Sequence, residues 1–304
     1  MKDLKYYIDK ALKQHFAIGG MNFSNMENLQ GIVDACKELK SPALISVSEG
    51  ALEYMGADYC MALANVARKT PGIFLHLDHG KSYEVCKKAV DLGFDSVMID
   101  GSALEYNDNM ALTKKVCKYA HAKGVLVEGE LGQIKGIEDT VSADEHHFTD
   151  PKKAKEFVEK TGVDTLAVAI GTSHGAYKYK GKQELRFDIL TEIEKELPNF
   201  PLVLHGASTV NQDLVATINK NGGKLKNAVG IPEKLLVEAV EKHNVIKINT
   251  DTDFRMAMTA RTRETLKNNP EVFDPRKYLG AGRTEIKKTT EYKIKNIFLS
   301  ENKK

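Results

Sequence analysis

The run GIFLHLDHGK, residues 72–81, is apolar until it meets His76, Asp78 and His79, and then turns at Gly80. Two further histidines, His174 in GTSHG and His205 in LHGAS, also stand directly before a glycine at the end of an apolar run. Three neutral imidazoles offered to one ion leave a coordination position open, which is the composition of a catalytic zinc site and not of a closed structural one. Their separations match no local zinc signature, and any one alone reads as a strand-end histidine bonded to backbone. The three together, each in an xHG setting, point to a metal. His76, within the same run as Asp78, reads as packing or support. Other polar residues stand at equivalent places: Asp100 in FDSVMIDGS, Glu128 and Glu130 in VLVEGELG, Asn249 and Asp251 in VIKINTDT. Gly175, Gly206, Ser208 and the NTDT run through Thr252 fit an anion site built from backbone N–H groups and a helix amino end; a capping role for Asp251 or Thr252 fits equally. Lys178 and Arg255 would add positive charge there, or stand solvated.

These residues need a frame that brings distant strand ends together. Eight apolar runs bounded by Gly, Ser, Asp or His begin near residues 16, 42, 72, 94, 125, 165, 201 and 245, separated by segments of helical spacing. Eight beta-alpha units in 304 residues predict a closed (β/α)8 TIM barrel, taken here as one domain over 1–304. In that fold the active site lies at the carboxyl ends of the strands, where every residue named above would converge. Residues 133–151 show little apolar periodicity and exceed the usual length of such a connection, which predicts a lid. An added helical excursion is expected between strands seven and eight, with Pro232 at the start of its second helix. A long helix after strand eight gives way to a C-terminal helical extension that leads to a polar, lysine-rich tail.

The charge balance, Lys+Arg 44 against Asp+Glu 42, carries no basic stripe, which excludes nucleic acid as the expected partner. Cys36, Cys60, Cys86 and Cys117 form no CxxC pair and read as buried free thiols of a reducing cytosol. No apolar stretch reaches the ~20 residues of a membrane span, and no signal segment opens the chain, so a soluble, cytoplasmic protein is expected. A Schiff-base chemistry would need a buried lysine at a strand end. Lys247 lies inside strand eight and Lys178 beyond strand six, so neither fits.

In the order LDHG, IDGS, VEGELG, GTSHGAYK, LHGAS and INTDTD, the strand-end motifs resemble those of class II, metal-dependent fructose-bisphosphate aldolases, and with the GGKLKNAVGIP insertion and FDPRKYLG segment the class IIB branch. The resemblance spans essentially the whole chain. It implies reversible cleavage of fructose 1,6-bisphosphate to dihydroxyacetone phosphate and glyceraldehyde 3-phosphate through an enediolate, in glycolysis or its reversal. Tagatose 1,6-bisphosphate, which differs at C4, is the alternative substrate, and a non-catalytic sugar-phosphate-binding protein the alternative class. Carried over by position, His79, His174 and His205 match the zinc ligands, Asp78 the acid/base for the C4 hydroxyl, and Glu138 the group that moves a proton at the dihydroxyacetone phosphate carbon. Asp100 and Glu130 match an alternative metal site. Gly175, Lys178, Gly206, Ser208, Asn249, Asp251 and Thr252 match the dihydroxyacetone phosphate site, where a monovalent cation, Na+ or K+, also binds. Arg255 and Arg276 match contacts to the other phosphate, the latter reaching in from a neighbouring subunit of a homodimer or homotetramer.

Overall fold

A computed structural model of the chain describes residues 2–138, 141–143, 147–175 and 184–304, with the backbone alone for residues 135–138, 141–143 and His174. In chain order the strands are β1 (Ile18–Asn22), β2 (Ala43–Ser48), β3 (Ile73–Gly80), β4 (Ser96–Ile99), β5 (Leu126–Leu131), β6 (Lys135–Glu138), β7 (Val141–Ala143), β8 (Thr165–Val168), β9 (Ser173–His174), β10 (Leu202–Leu204) and β11 (Val245–Thr250). Eight of them close into a parallel barrel in the order β1, β2, β3, β4, β5, β8, β10, β11 and back to β1. Each of the eight apolar runs supplies one of these strands. The helices are α1 (Leu4–Gln14), α2 (Met26–Glu38), α3 (Glu49–Met55), α4 (Ala57–Ala67), α5 (Tyr83–Leu92), α6 (Tyr106–His121), α7 (Pro151–Thr161), α8 (Phe187–Glu196), α9 (Gln212–Lys220), α10 (Glu233–Lys242), α11 (Thr252–Asn268) and α12 (Pro275–Asn296). None is long and apolar enough to cross a membrane among the described residues.

The two ends of the barrel are built differently. Leu4, Tyr7, Ile8 and Ala11 of α1, at the i, i+3, i+4, i+7 spacing of one helix face, bury against Phe16, Ile18, Leu44, Phe74 and Ile246 and plug the amino-terminal end with apolar surface. Higher in the interior, Met98, Ala167 and Val203 pack together. The carboxyl-terminal end is polar. Around the outside, one continuous apolar core joins the strands to the helices, and all four cysteines lie in it. Burial pushes the Cys36, Cys86 and Cys117 thiols up to about 12 and Cys60 to about 11, so none is a nucleophilic thiolate near neutral pH.

The stretch predicted as a lid contains β6 and β7, which pair antiparallel (Gly136 opposite Ala143), while β6 also pairs parallel with β9 (Gly136 opposite His174). Strands of three or four residues are too short to show a period in sequence. The expected C-terminal helical extension is the 22-residue α12, which runs on into the stretch read as a lysine-rich tail and buries Gly282, Ile286, Thr290 and Ile294 at four-residue intervals against α2 and α11, with most of its lysines facing away. Beyond it Phe298 is buried and its carbonyl accepts the Ala17 N–H at 2.7 Å. The excursion between β10 and β11 is present as α9 and α10, with Pro232 one residue before α10 and not in its first turn.

Strand β3 carries the local feature that matters most for the site. Neighbouring residues of a strand point to opposite faces, so Asp78 and His79 could not both serve one mouth on a regular strand. Pairing with β4 shifts register between Leu77 and Gly80, and His79 takes φ 50°, a left-handed backbone rare for a non-glycine residue. A bulge of this kind re-aims a side chain, at a cost of about 1–3 kcal/mol that the surrounding structure must hold in place.

Candidate metal and catalytic centre

The bulge brings Asp78 and His79 together at the carboxyl end of the barrel, both buried. His205, one residue beyond β10, meets them there: its Nδ1 lies 3.0 Å from His79 Nε2. The opposite nitrogen of each ring faces a carboxylate, His79 Nδ1 at 2.8 Å from Asp100 Oδ2 and His205 Nε2 at 2.7 Å from Glu128 Oε1. A carboxylate accepts and does not donate, so those nitrogens carry protons, and with both rings neutral, the form that binds a metal, the two facing nitrogens present lone pairs. Lone pairs directed at one another at this distance are an arrangement that a cation resolves, and carboxylate-backed imidazoles are what metal-binding histidines ordinarily show. The donor set therefore fits a metal ion. Asp78, His79 and His205 form one group of convergent ligand atoms, and His79, Asp100 and Glu130 an overlapping second.

The surrounding charges favour positive charge here. Burial works against a charged His79, but its hydrogen bond to Asp100 and the nearby Asp78 and Glu130 outweigh burial and raise it well above the ordinary histidine value, so a proton holds the place on Nε2 that an ion would take. Burial and the neighbouring Asp100 raise Glu130 well above the ordinary carboxylate value, and its buried Oε2 has no hydrogen-bond partner among the described residues. Asp78 behaves oppositely: burial would raise it, yet His79, His205, Lys247 and His76 together hold it below the usual range, so it is ionised. Its two oxygens accept from Asn22 Nδ2 and Asn249 Nδ2, each at 2.8 Å. An ionised carboxylate held from two sides beside a metal site is a positioned proton acceptor.

Beneath this level lies a second one. Period two along a strand puts His76 on the face of Asp78, Glu128 on that of Glu130, and Lys247 on that of Asn249. The lower members meet inside the barrel: Lys247 Nζ donates to Glu128 at 3.0 and 2.8 Å and to His76 Nε2 at 3.1 Å, and His76 Nδ1 lies 2.7 Å from Ser96 Oγ. A lysine ammonium only donates, so His76 accepts at Nε2 and carries its proton at Nδ1. Burial, followed by the Lys247 charge, pushes His76 down to about 3 and keeps it neutral. His76 is thus support and not a ligand, as its position in the sequence implied.

The remaining expected residues divide. Ser208, Asn249 and Asp251 are buried at the same end, and Gly206 (φ 60°) and Gly175 (φ 80°) flank the histidine-bearing turns. Thr252 opens α11, but Asp251 makes no side-chain cap; it pairs with Arg255, Nη2 to Oδ2 at 2.6 Å. His174 lies not at the end of a barrel strand but on β9, since the barrel strand stops at Val168. Its side chain and that of Glu138 lie outside the described residues, as does the whole of Lys178. Arg276 sits at the start of α12, 88% exposed, with Asp274 its only polar partner among the described residues. Sequence reasoning missed Asn22, assigned no role to Glu128, and missed the buried pair Asp253–Lys293 (2.7 Å), where Asp253 also accepts the N–H groups of Thr209 and Val210. Apart from the period-two alternation for Glu128 and Lys247, no local pattern marks these contacts.

Comparison with known proteins agrees with this geometry. A model of the family described as fructose-bisphosphate aldolase class-II matches residues 2–303. Among curated proteins, the chain is 48% identical to a fructose-bisphosphate aldolase of Treponema pallidum, over 95% of this chain and 93% of that one. It is 47% identical to a fructose-bisphosphate aldolase of Giardia intestinalis, over 96% and 91% respectively. Among solved structures, the YdjI aldolase of Escherichia coli K12 superposes with a TM-score of 0.79 at 31% identity, covering 100% of this chain and 99% of that one.

Proposed function

Because the chain belongs to the class II fructose-bisphosphate aldolase family, whose chemistry is metal-dependent, we propose that it cleaves fructose 1,6-bisphosphate reversibly to dihydroxyacetone phosphate and glyceraldehyde 3-phosphate with zinc as its ion. The observation that carries the reading is the convergence of His79 Nε2 and His205 Nδ1, 3.0 Å apart with Asp78 beside them. His174 is the third ligand in this proposal, and Asp100 with Glu130 offers the second position. When bound, the ion supplies Lewis-acid stabilisation of the charge that C3–C4 cleavage leaves next to the carbonyl. Asp78 takes the C4 hydroxyl proton during cleavage and returns it during condensation, while Asn22 and Asn249 keep its two oxygens aimed. Glu138 moves the proton at C3; the pairing of β6 with β9 supports this, since it ties the Glu138 strand to that of His174.

Gly175, Lys178, Gly206, Ser208, Asn249, Asp251 and Thr252 are proposed to bind dihydroxyacetone phosphate together with a Na+ or K+ ion, and Arg255 the other phosphate. The exposure of Arg276 supports its acting on the site of a neighbouring subunit in a homodimer or homotetramer. We take residues 1–304 as one catalytic domain of a cytoplasmic enzyme of glycolysis or its reversal. The test is kcat/KM for fructose and tagatose 1,6-bisphosphates on zinc-loaded protein, before and after chelation and with borohydride. Fructose bisphosphate should be preferred, chelation should abolish turnover until zinc returns, and borohydride with substrate should leave activity intact. A preference for tagatose bisphosphate overturns the substrate, and full activity after metal removal overturns the zinc.

A further inference from the structure

We propose that the buried Lys247–Glu128 pair sets the tautomer of His205 and thereby selects Nδ1 as its metal-binding nitrogen, making Glu128 and Lys247 positioning residues. The inference rests on the metal site proposed above and concerns residues that approach the ion only through His205. Lys247 has three N–H bonds and three acceptors around it, both oxygens of Glu128 and His76 Nε2, so the ammonium is fully committed and Glu128 is gripped at both oxygens. Lys247 is 1% exposed and Glu128 3%, and the apolar plug of Leu4, Ile8 and Ile246 closes the layer from below. With both oxygens present as acceptors, Glu128 Oε1 can meet His205 only where His205 carries the proton, at Nε2 (2.7 Å). Nδ1 is then left with its lone pair toward His79 and the Asn249 amide, whose Nδ2 lies 3.1 Å away. The Lys247 charge is what makes this choice unambiguous: it keeps an oxygen, and never a protonated or amide face, turned to the imidazole.

Two variants separate charge from hydrogen bonding. In Glu128→Gln the amide has a single oxygen, and Lys247, which only donates, claims it. The amide NH2 then faces His205 Nε2, which must accept, and the proton moves to Nδ1, the ligand position. In Glu128→Gln/Lys247→Met no cation claims the amide oxygen, which is free to turn back to His205. The experiment measures zinc affinity by chelator competition, with 15N spectra of histidine-labelled, zinc-loaded protein reporting the His205 tautomer. Wild type should show protonated Nε2. Glu128→Gln should lose about 10–100-fold in zinc affinity, the range for removing a partner of a metal-bound histidine, and the double variant should regain most of it. Protonated Nδ1 in wild type, single-variant affinity within about threefold of wild type, or no recovery in the double variant would overturn the inference. Failure of wild type to bind zinc would instead strike at the metal site itself. The wild-type spectrum decides the tautomer even if a variant does not fold.

Discussion

Gly206 directly follows His205, and its replacement by alanine tests how the two histidine-bearing segments are held together. A Cβ at position 206 would lie 2.6 Å from the carbonyl carbon of Ser173, 2.7 Å from its oxygen and 3.0 Å from its nitrogen. These are backbone atoms of the residue before His174, so no side chain can swing aside to relieve the contact. The φ of 60° adds a second penalty, since a residue with a Cβ resists the left-handed region. Strain of about 1–2 kcal/mol from the dihedral and about 1–3 kcal/mol from overpacking gives about 2–5 kcal/mol in all. At roughly 2 °C per kcal/mol for a chain of this size, Tm should fall by about 4–10 °C. The only relief available is to part β9 from the end of β10, which displaces His174 from His205. Zinc affinity should therefore fall more than tenfold in Gly206→Ala, measured by chelator competition beside the melting curve. A Tm within about 1 °C of wild type, with zinc affinity unchanged, would refute the close approach of these two segments.

Asp78→Asn keeps the shape of the side chain but turns an N–H toward one of two amide donors and removes the proton acceptor. Its kcat should fall about 10²- to 10⁴-fold, or about 3–5 kcal/mol on the barrier, with KM little changed; a kcat within threefold of wild type would end the acid/base assignment. Burial would raise Asp253, but Lys293 and the N–H groups of Thr209 and Val210 outweigh it and hold the carboxyl below its ordinary value. A depressed carboxyl contributes stability above its unfolded value, near pH 4, and loses it as pH falls through the folded value. Urea melts should thus show the midpoint declining below about pH 4. In Lys293→Met, where only the two N–H groups still oppose burial, the folded value rises, so the loss of stability at acid pH should shrink or reverse, and stability at neutral pH should drop by about 3–5 kcal/mol. Identical acid limbs in the two proteins would show that the pair does not govern this region.

The frame was legible in the sequence because a parallel barrel strand, buried on both faces, is a short apolar run, and here each run ends in a residue too polar for the core. Asp78, His79 and His205 followed from that alone. The bulge that lets Asp78 and His79 share one mouth did not, since it depends on pairing with β4 and not on any residue in LDHG. Lys247 was visible but misjudged: reading it as merely inside strand eight overlooked that VIKIN alternates, which aims Lys247 and Asn249 the same way, into the barrel. Asp253 and Lys293 are joined only by the packing of α11 on α12, and at that sequence separation no pattern could pair them. In α12 the four-residue spacing of Gly282, Ile286, Thr290 and Ile294 was present, but glycine and threonine do not announce a buried face.

Strand β1 has neighbours from opposite ends of the chain, β2 and β11, and its two glycines accommodate atoms made last. A Cβ on Gly19 would meet Phe298 Cε2 at 2.6 Å, and one on Gly20 would meet Asn249 Oδ1 at 2.6 Å. During synthesis, then, one edge of β1 waits unpaired until Val245–Thr250 has left the ribosome, and the barrel cannot become a barrel before that moment. The same glycines that make room for the late arrivals also make the waiting edge a poor template for a stray strand, since glycine is among the residues least suited to sheet pairing. Ring closure is in this sense timed by translation, with the metal-binding end assembled only when the last strand has taken its place.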